Sequence, residues 1–263
     1  MKRAIVETAG LHKFFRRGSE QIDVLNDLTL QAPQGEFLAL MGPSGSGKTT
    51  LLNLIAGLDR PSQGRIRVGD EIISGMTEGQ LAKWRTRHVG FVFQFYHLLP
   101  VLSAYENVEL PLLLLPLSAQ ERRRQVLTAL ELVNLSNRMG HRPGQLSGGQ
   151  QQRVGIARAM VTDPTLIVAD EPTGDLDSKS AEEILDLLVE LKKGLNKTIL
   201  MVTHDPRAAA RADRVLHLEK GRLVRESAGP DSPAHGHPHA GNGHEDRVTH
   251  APALVEKPSD DER

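Results

Sequence analysis

Gly42-Pro43-Ser44-Gly45-Ser46-Gly47-Lys48-Thr49-Thr50 fits G-x-x-x-x-G-K-[ST], the pattern of a phosphate-binding loop. The run Glu36-Phe37-Leu38-Ala39-Leu40-Met41 precedes it and predicts a buried strand. Thr49-Thr50-Leu51-Leu52-Asn53-Leu54-Ile55-Ala56 follows and predicts a helix. Strand, glycine loop and helix form the context this pattern needs. The glycines let the backbone curl until several N–H groups face one polyphosphate. The helix start adds its positive dipole end. Lys48 suits the β- and γ-phosphates, and the Thr49 hydroxyl suits Mg²⁺.

Working outward, Ala4-Ile5-Val6, Val24-Leu25 and Leu28-Thr29-Leu30 read as antiparallel strands around a turn at Gly18-Ser19. Residues 64–73 alternate at period two and predict a second hairpin. Gly90-Phe91-Val92-Phe93 predicts a buried strand that ends at Gln94. From about 95 to 160 the pattern is helical; Val126, Leu127, Leu130 and Val133 recur at helical spacing, with Arg122, Arg123 and Arg124 on the polar side. After Pro164 the alternation resumes: strand 166–169, helix 180–193, strand 198–202, then a hairpin turning at Lys220-Gly221. The fold class expected is α/β: a P-loop core with a largely parallel sheet, an antiparallel β subdomain and an inserted α-helical subdomain. Residues 1–226 read as the nucleotide-binding domain.

The segment 227–263 has a different composition, with five prolines, five of the eleven histidines and almost no apolar period. It predicts a disordered tail. His235, His237, His239 and His244 form a His-rich tract within it, and a solvated low-complexity tail is the preferred reading over a metal site.

Composition narrows the function. Lys and Arg total 32 against 33 Asp and Glu, so no basic excess points to nucleic acid or a membrane surface. The chain has no cysteine, which removes disulfides and thiolate metal sites and suits the cytosol. The longest apolar run, 110–117, carries two prolines and falls far short of the roughly 20 residues of a bilayer span. Any membrane role is expected to come through a partner.

Five further features carry chemistry. Leu166-Ile167-Val168-Ala169 ends in Asp170-Glu171, where a Mg²⁺ ligand belongs beside a P-loop strand. Asp170 is assigned to Mg²⁺ through water, and Glu171 to taking a proton from an attacking water. Gln94 can offer its oxygen to Mg²⁺ or orient that water, and His204, after another buried strand, can reach a γ-phosphate. Phe15 can stack on an adenine ring or simply pack. Leu146-Ser147-Gly148-Gly149-Gln150 opens a helix and forms a second anion site. Either the chain binds two anions, or the two sites meet across a dimer.

Over residues 3–226 this chain resembles the ATP-binding subunit of an ABC transporter. The carriers are LSGGQ at 146–150 and the order P-loop, Gln94, LSGGQ, Asp170-Glu171, Gly174-Asp175-Leu176-Asp177, His204. The resemblance implies two subunits packed head to tail with two ATP molecules between them. One subunit's P-loop and the other's Ser147 and Gly149 would hold the same γ-phosphate, with Gly148 and Gln150 completing that nucleotide-binding motif. It implies that Asp177 links the two sites, that Glu171 is the general base, and that His204 positions γ-phosphate and water. Residues 91–100 and 106–112 resemble the lipoprotein-release and macrolide-efflux branch, which includes a cell-division ATPase. That branch implies a permease with four transmembrane helices and a large extracytoplasmic domain. Tyr96, Leu98 and Leu99 are then candidate permease contacts, with core packing as their alternative role. The implied place is the inner face of the cell membrane, and the implied direction is export or extraction. An alternative is force transmission to an extracytoplasmic hydrolase without transport. A soluble ABC protein of DNA repair or translation would carry a long coiled coil or a second ATPase domain, and a small-molecule kinase would leave LSGGQ unexplained.

Overall fold

The computed structural model describes residues 3–229. Strands β1 (Ala4–Arg17) and β2 (Glu20–Pro33) form a long antiparallel hairpin that turns at Gly18-Ser19. Strands β4 (Gln63–Val68) and β5 (Glu71–Ile72) extend it to a four-stranded sheet in the order β2-β1-β4-β5. The second sheet contains β3 (Phe37–Met41), β6 (Val89–Phe93), β7 (Leu166–Asp170), β8 (Thr198–Val202), β9 (Arg214–Glu219) and β10 (Arg222–Ala228). Its order is β10-β9-β3-β8-β7-β6, parallel except for the final β9-β10 hairpin. β3, β7 as far as Ala169, and β8 after Thr198 are apolar because both sheet faces are covered.

The helices are α1 (Lys48–Ile55), α2 (Glu78–His88), α3 (Ala104–Glu109), α4 (Ala119–Leu132), α5 (Gly148–Met160), α6 (Ser178–Leu195) and α7 (Pro206–Ala209). Successive side chains of β3 point to opposite faces. Phe37 and Ala39 join a core built from the inner faces of α3, α4, α5 and α6. Leu38 and Leu40 join one built from α1 and the antiparallel sheet. Each fully buried leucine of these cores is worth about 1.5–3 kcal/mol over its exposed state.

The register decides the site. Leu40 pairs with Val202, Val202 with Asp170, and Asp170 with Phe93. The carboxyl ends of β3, β8, β7 and β6 therefore lie level on one edge. The glycine loop, His204, Glu171 and Gln94 all leave from that edge, where open α/β sheets bind ligands.

The expected α/β fold with its antiparallel sheet is present, and three details differ. The helical region starts at Ala104, because residues 95–103 form a loop in which Tyr96 and His97 take left-handed φ values of 57° and 48°. Helix α2 has no clear signal in the sequence pattern, because it buries only Leu81 and Trp84, too few for a readable stripe. β10 continues through Ser227 and Ala228, which pair with Val215 and Arg214. The rest of the expected tail, with its histidines, lies outside the described residues. No described helix is long and apolar enough to cross a membrane.

Candidate functional site

The loop between β3 and α1 has a backbone that only glycine adopts freely. Gly42, Gly45 and Gly47 have φ of 152°, 76° and 100°. A Cβ at Gly42 would lie 2.1 Å from the Leu218 carbonyl oxygen, and one at Gly47 2.9 Å from that of Val24. Lys48 is buried, and its Nζ donates to the carbonyls of Gly42 at 2.8 Å and Pro43 at 3.0 Å. Its charge thus sits against the loop that Pro43, Ser44 and Gly45 close. The buried Ser46 hydroxyl has no hydrogen-bond partner among the described residues. Gly47 caps α1 without a side-chain bond, and Thr50 follows in the first turn, which carries no acid. This is a cradle for an anion, with donors unopposed by any carboxylate of its own helix.

Thr49 leads out of the cradle toward Asp170, its Oγ1 donating to Asp170 Oδ1 at 3.5 Å. Burial, and then the neighbouring Glu171, push the Asp170 carboxyl above its ordinary range, against the pull of Thr49 and Lys48. A hydroxyl and a strained carboxylate converging beside a phosphate cradle suit a hard divalent cation.

Glu171 has a left-handed backbone, φ 49°, uncommon for a residue with a side chain. Its N–H donates to the Val202 carbonyl at 2.9 Å, and its carbonyl accepts from Gly174 N–H at 3.0 Å. Its Oε2 meets His204 Nδ1 at 2.5 Å, with His204 mostly exposed and Glu171 mostly covered. Gln94 is half-buried, its Nε2 only 2.8 Å from where a Cβ on Gly174 would stand. Gly174 thereby makes room for Gln94 at the same edge.

The second predicted anion site is built differently. Ser147 caps α5, its Oγ accepting from Gln150 N–H at 3.3 Å while Gln150 Oε1 accepts from Ser147 N–H at 3.0 Å. A Cβ on Gly149 would meet Ser180 Oγ at 3.1 Å. Ser180 in turn donates to Asp177 Oδ2 at 2.7 Å. Asp177 caps α6; the N–H of Ser180, then its hydroxyl, hold the Asp177 carboxyl below the ordinary range. Among the described residues, no hydrogen bond or ion pair joins residues 147–150 to the P-loop. Among the described α-helices, only α1 and α5 start with neither an acidic cap nor an acid in the first turn.

Phe15 lies on β1, half-exposed, with Lys13 Nζ 4.7 Å from its ring centre. Leu98 packs on the helical core, whereas Leu99 is exposed beside Phe95 and Val101. The Tyr96 hydroxyl donates to Asp175 Oδ2 at 3.1 Å. Burial and that carboxylate push the phenol up to about 12. Two residues that sequence reasoning missed are Gln152 and Arg158 of α5. Arg158 donates to the carbonyls of Tyr96 and His97, each at 2.6 Å.

The profile described as ABC transporter matches residues 25–174. The chain belongs to the ABC transporter family. An uncharacterised ABC transporter ATP-binding protein of Bacillus subtilis, YvrO, is 48% identical over 224 residues, 85% of this chain and 97% of that one. The lipoprotein-releasing system ATP-binding protein LolD of Chromohalobacter salexigens is 46% identical, over 85% of this chain and 94% of its own. Among solved structures, the dimeric post-hydrolysis state of the ATP-binding cassette MJ0796, bound to ADP and Pi, superposes with a TM-score of 0.77. It is 42% identical and covers 85% of this chain and 98% of that one. As an ABC family member this chain is the ATP-binding, ATP-hydrolysing subunit of a transporter, in the branch that residues 91–112 suggested.

Proposed function

We propose that two copies of this chain close head to tail on two ATP molecules and that closure drives a membrane permease. The observation that carries this is the pair of acid-free helix starts, one shaped as a phosphate cradle and one left open on its own cap. Among the described residues no hydrogen bond or ion pair joins them, and we read them as the two halves of one γ-phosphate site, one half from each chain. The dimeric form of the cassette MJ0796, bound to ADP and Pi, supports the arrangement.

In this reading residues 42–50 wrap the phosphates, Lys48 turns from the loop carbonyls to the β- and γ-phosphates, and Phe15 stacks on adenine. Thr49, Asp170 and Gln94 would hold Mg²⁺, which when bound neutralises phosphate charge. Ser147, Gly148, Gly149 and Gln150 of the partner copy close over the γ-phosphate, with Asp177 at the interface. The Glu171 carboxylate takes a proton from water, whose oxygen attacks the γ-phosphorus. The bond to the β,γ-bridging oxygen breaks, leaving ADP and Pi. His204, already bonded to Glu171, orients that carboxylate and the γ-phosphate. Separation of the products' charges reopens the dimer, so each turnover is one cycle of closing and opening.

The exposed apolar side chains of Phe95, Leu99 and Val101, on the loop just after Gln94, support permease docking there. The permease is the four-helix type with a large outer domain, and the chain works from the cytoplasmic face of the membrane. The name of LolD supports extraction of lipoproteins or another export task.

Light scattering on the Glu171→Gln variant tests the sandwich. The variant is expected to bind ATP and accumulate as a dimer; a monomer in saturating ATP defeats the reading. Affinity purification from membranes of the native host in mild detergent is expected to bring down a four-helix permease. Recovery of the chain with no membrane protein counts against that part.

A further inference from the structure

Gln152 of α5 is completely buried. Its Nε2 donates to the Phe93 carbonyl at 3.0 Å and to the Pro172 carbonyl at 2.5 Å. Phe93 immediately precedes Gln94, and Pro172 immediately follows Glu171. One amide nitrogen therefore ties together the backbones beside both residues assigned to the attacking water. The amide has only one workable orientation, since a flip would set oxygen against two carbonyl oxygens. Its Oε1 is buried with no partner among the described residues, in the space beside Gly155, where a Cβ would lie 3.5 Å away. Burying an unsatisfied acceptor is unfavourable. An apolar side chain of the same volume would avoid that penalty but take the donor from the Phe93 and Pro172 carbonyls, so the glutamine is explained by these two bonds and not by packing.

What the glutamine holds is the strained part of the site. Glu171 keeps its left-handed backbone only while its surroundings over-determine it. Val202 fixes its N–H, Gly174 its carbonyl, and Gln152 the next carbonyl along. Arg158, two turns further along α5, grips the Gln94 loop through Tyr96 and His97. Helix α5 thus clasps both water-side loops, and the same helix begins at Ser147.

We propose that Gln152 is a positioning residue for hydrolysis. It locks the loops carrying Gln94 and Glu171 to the helix whose start meets the partner's ATP. A contact made at Ser147 is then felt at the Glu171 of the same chain, which links the two sites of the dimer. The proposal rests on Glu171 being the base.

Steady-state ATP hydrolysis by Gln152→Met is the test, because methionine keeps the length and removes the donor. The expected result is a kcat about 10- to 100-fold lower with KM for ATP within about twofold, since the P-loop does not touch Gln152. Gln152→Asn, which stays polar and is shorter by one methylene, carries the same test if the methionine variant does not fold. Added to Glu171→Gln, the Gln152 change is expected to lower the residual rate by a smaller factor than it lowers the parent's, because the part that acts through Glu171 is already lost. A kcat equal to the parent's while Glu171→Gln is inactive overturns the proposal and leaves the base assignment standing. An additive loss in the double variant overturns it too. A Glu171→Gln variant as active as the parent removes the base assignment, and this proposal with it.

Discussion

The two helix starts of this chain, at Lys48 and at Gly148, are built by different means. The first is shaped by backbone: three glycines at φ values closed to other residues, and a buried lysine beneath them. The second is an ordinary capping box of the kind that also opens α2, α3 and α4 at Thr77, Ser103 and Ser118. What sets it apart is charge. α3 and α4 close their boxes with Glu106 and Glu121, and α2 carries Glu78, whereas α5 uses the neutral Gln150. A complete cradle can hold its ligand alone. A bare dipole end can only add to a ligand that something else brings.

The largest test of that contrast removes the cradle. Lys48→Ala is expected to weaken ATP binding by about 100-fold, the loss of charge-assisted bonds to two phosphates, and to abolish dimerisation. Gly42→Ala is expected to do the same and also to destabilise the chain by about 3 kcal/mol or more, since its Cβ would collide with Leu218. Equilibrium binding of a fluorescent ATP analogue and chemical denaturation measure both. If ATP bound Lys48→Ala normally, the first site would not be the complete one.

Next in size is the electrostatic strain beside the cradle. The raised carboxyl of Asp170 favours the folded state when protonated, at low pH, and that advantage is lost as pH rises through its folded value. Asp170→Asn is therefore expected to stabilise the ligand-free chain at neutral pH and to hydrolyse ATP about 10- to 100-fold more slowly. Glu36, at the start of β3 and away from the loop, is the control. Burial pushes its carboxyl to about 7, despite Arg214. Between pH 4.5 and 7 the unfolded chain holds fewer protons there than the folded one, so stability falls as pH rises, by about 3 kcal/mol at most from this group. Glu36→Gln is expected to flatten that slope with no change in ATP affinity. Denaturation at several pH values separates the two. A loss of hydrolysis in Glu36→Gln equal to that in Asp170→Asn would mean the strain at Asp170 is not specific to the site.

The same contrast explains what the sequence made legible. The P-loop is a backbone device and needs particular residues at fixed spacing, so Gly42, Gly47, Lys48 and Thr49 announce it. Apolar strands ending in Asp170-Glu171, Gln94 and His204 were readable one by one, but only the strand register brings them level. Gln152 was not readable. In sequence it is one of three consecutive glutamines, and its meaning depends on which face of α5 is buried. The signal was there in retrospect: Gln152, Gly155, Ile156 and Ala159 form a helical stripe in which one member is polar. The loop at 95–103 was hidden for a related reason, since the left-handed Tyr96 and His97 are held by Arg158 some 60 residues away.

The smallest change gives the sharpest comparison. Gln150→Glu would convert the box at Ser147 into the kind that opens α3 and α4, with a carboxylate accepting from Ser147 N–H. That carboxylate complements the dipole of α5 and is worth about 0.3–1 kcal/mol to the folded chain. It also places a negative charge where the partner's γ-phosphate is proposed to arrive. The expected outcome has opposite signs: a slightly higher midpoint of unfolding, unchanged ATP affinity of the single chain, and about tenfold weaker ATP-driven dimerisation in the Glu171→Gln background. Denaturation, equilibrium binding and light scattering read the three quantities separately. Raised stability with undiminished dimerisation would mean that no anion meets this helix start, and that its neutral cap has another cause.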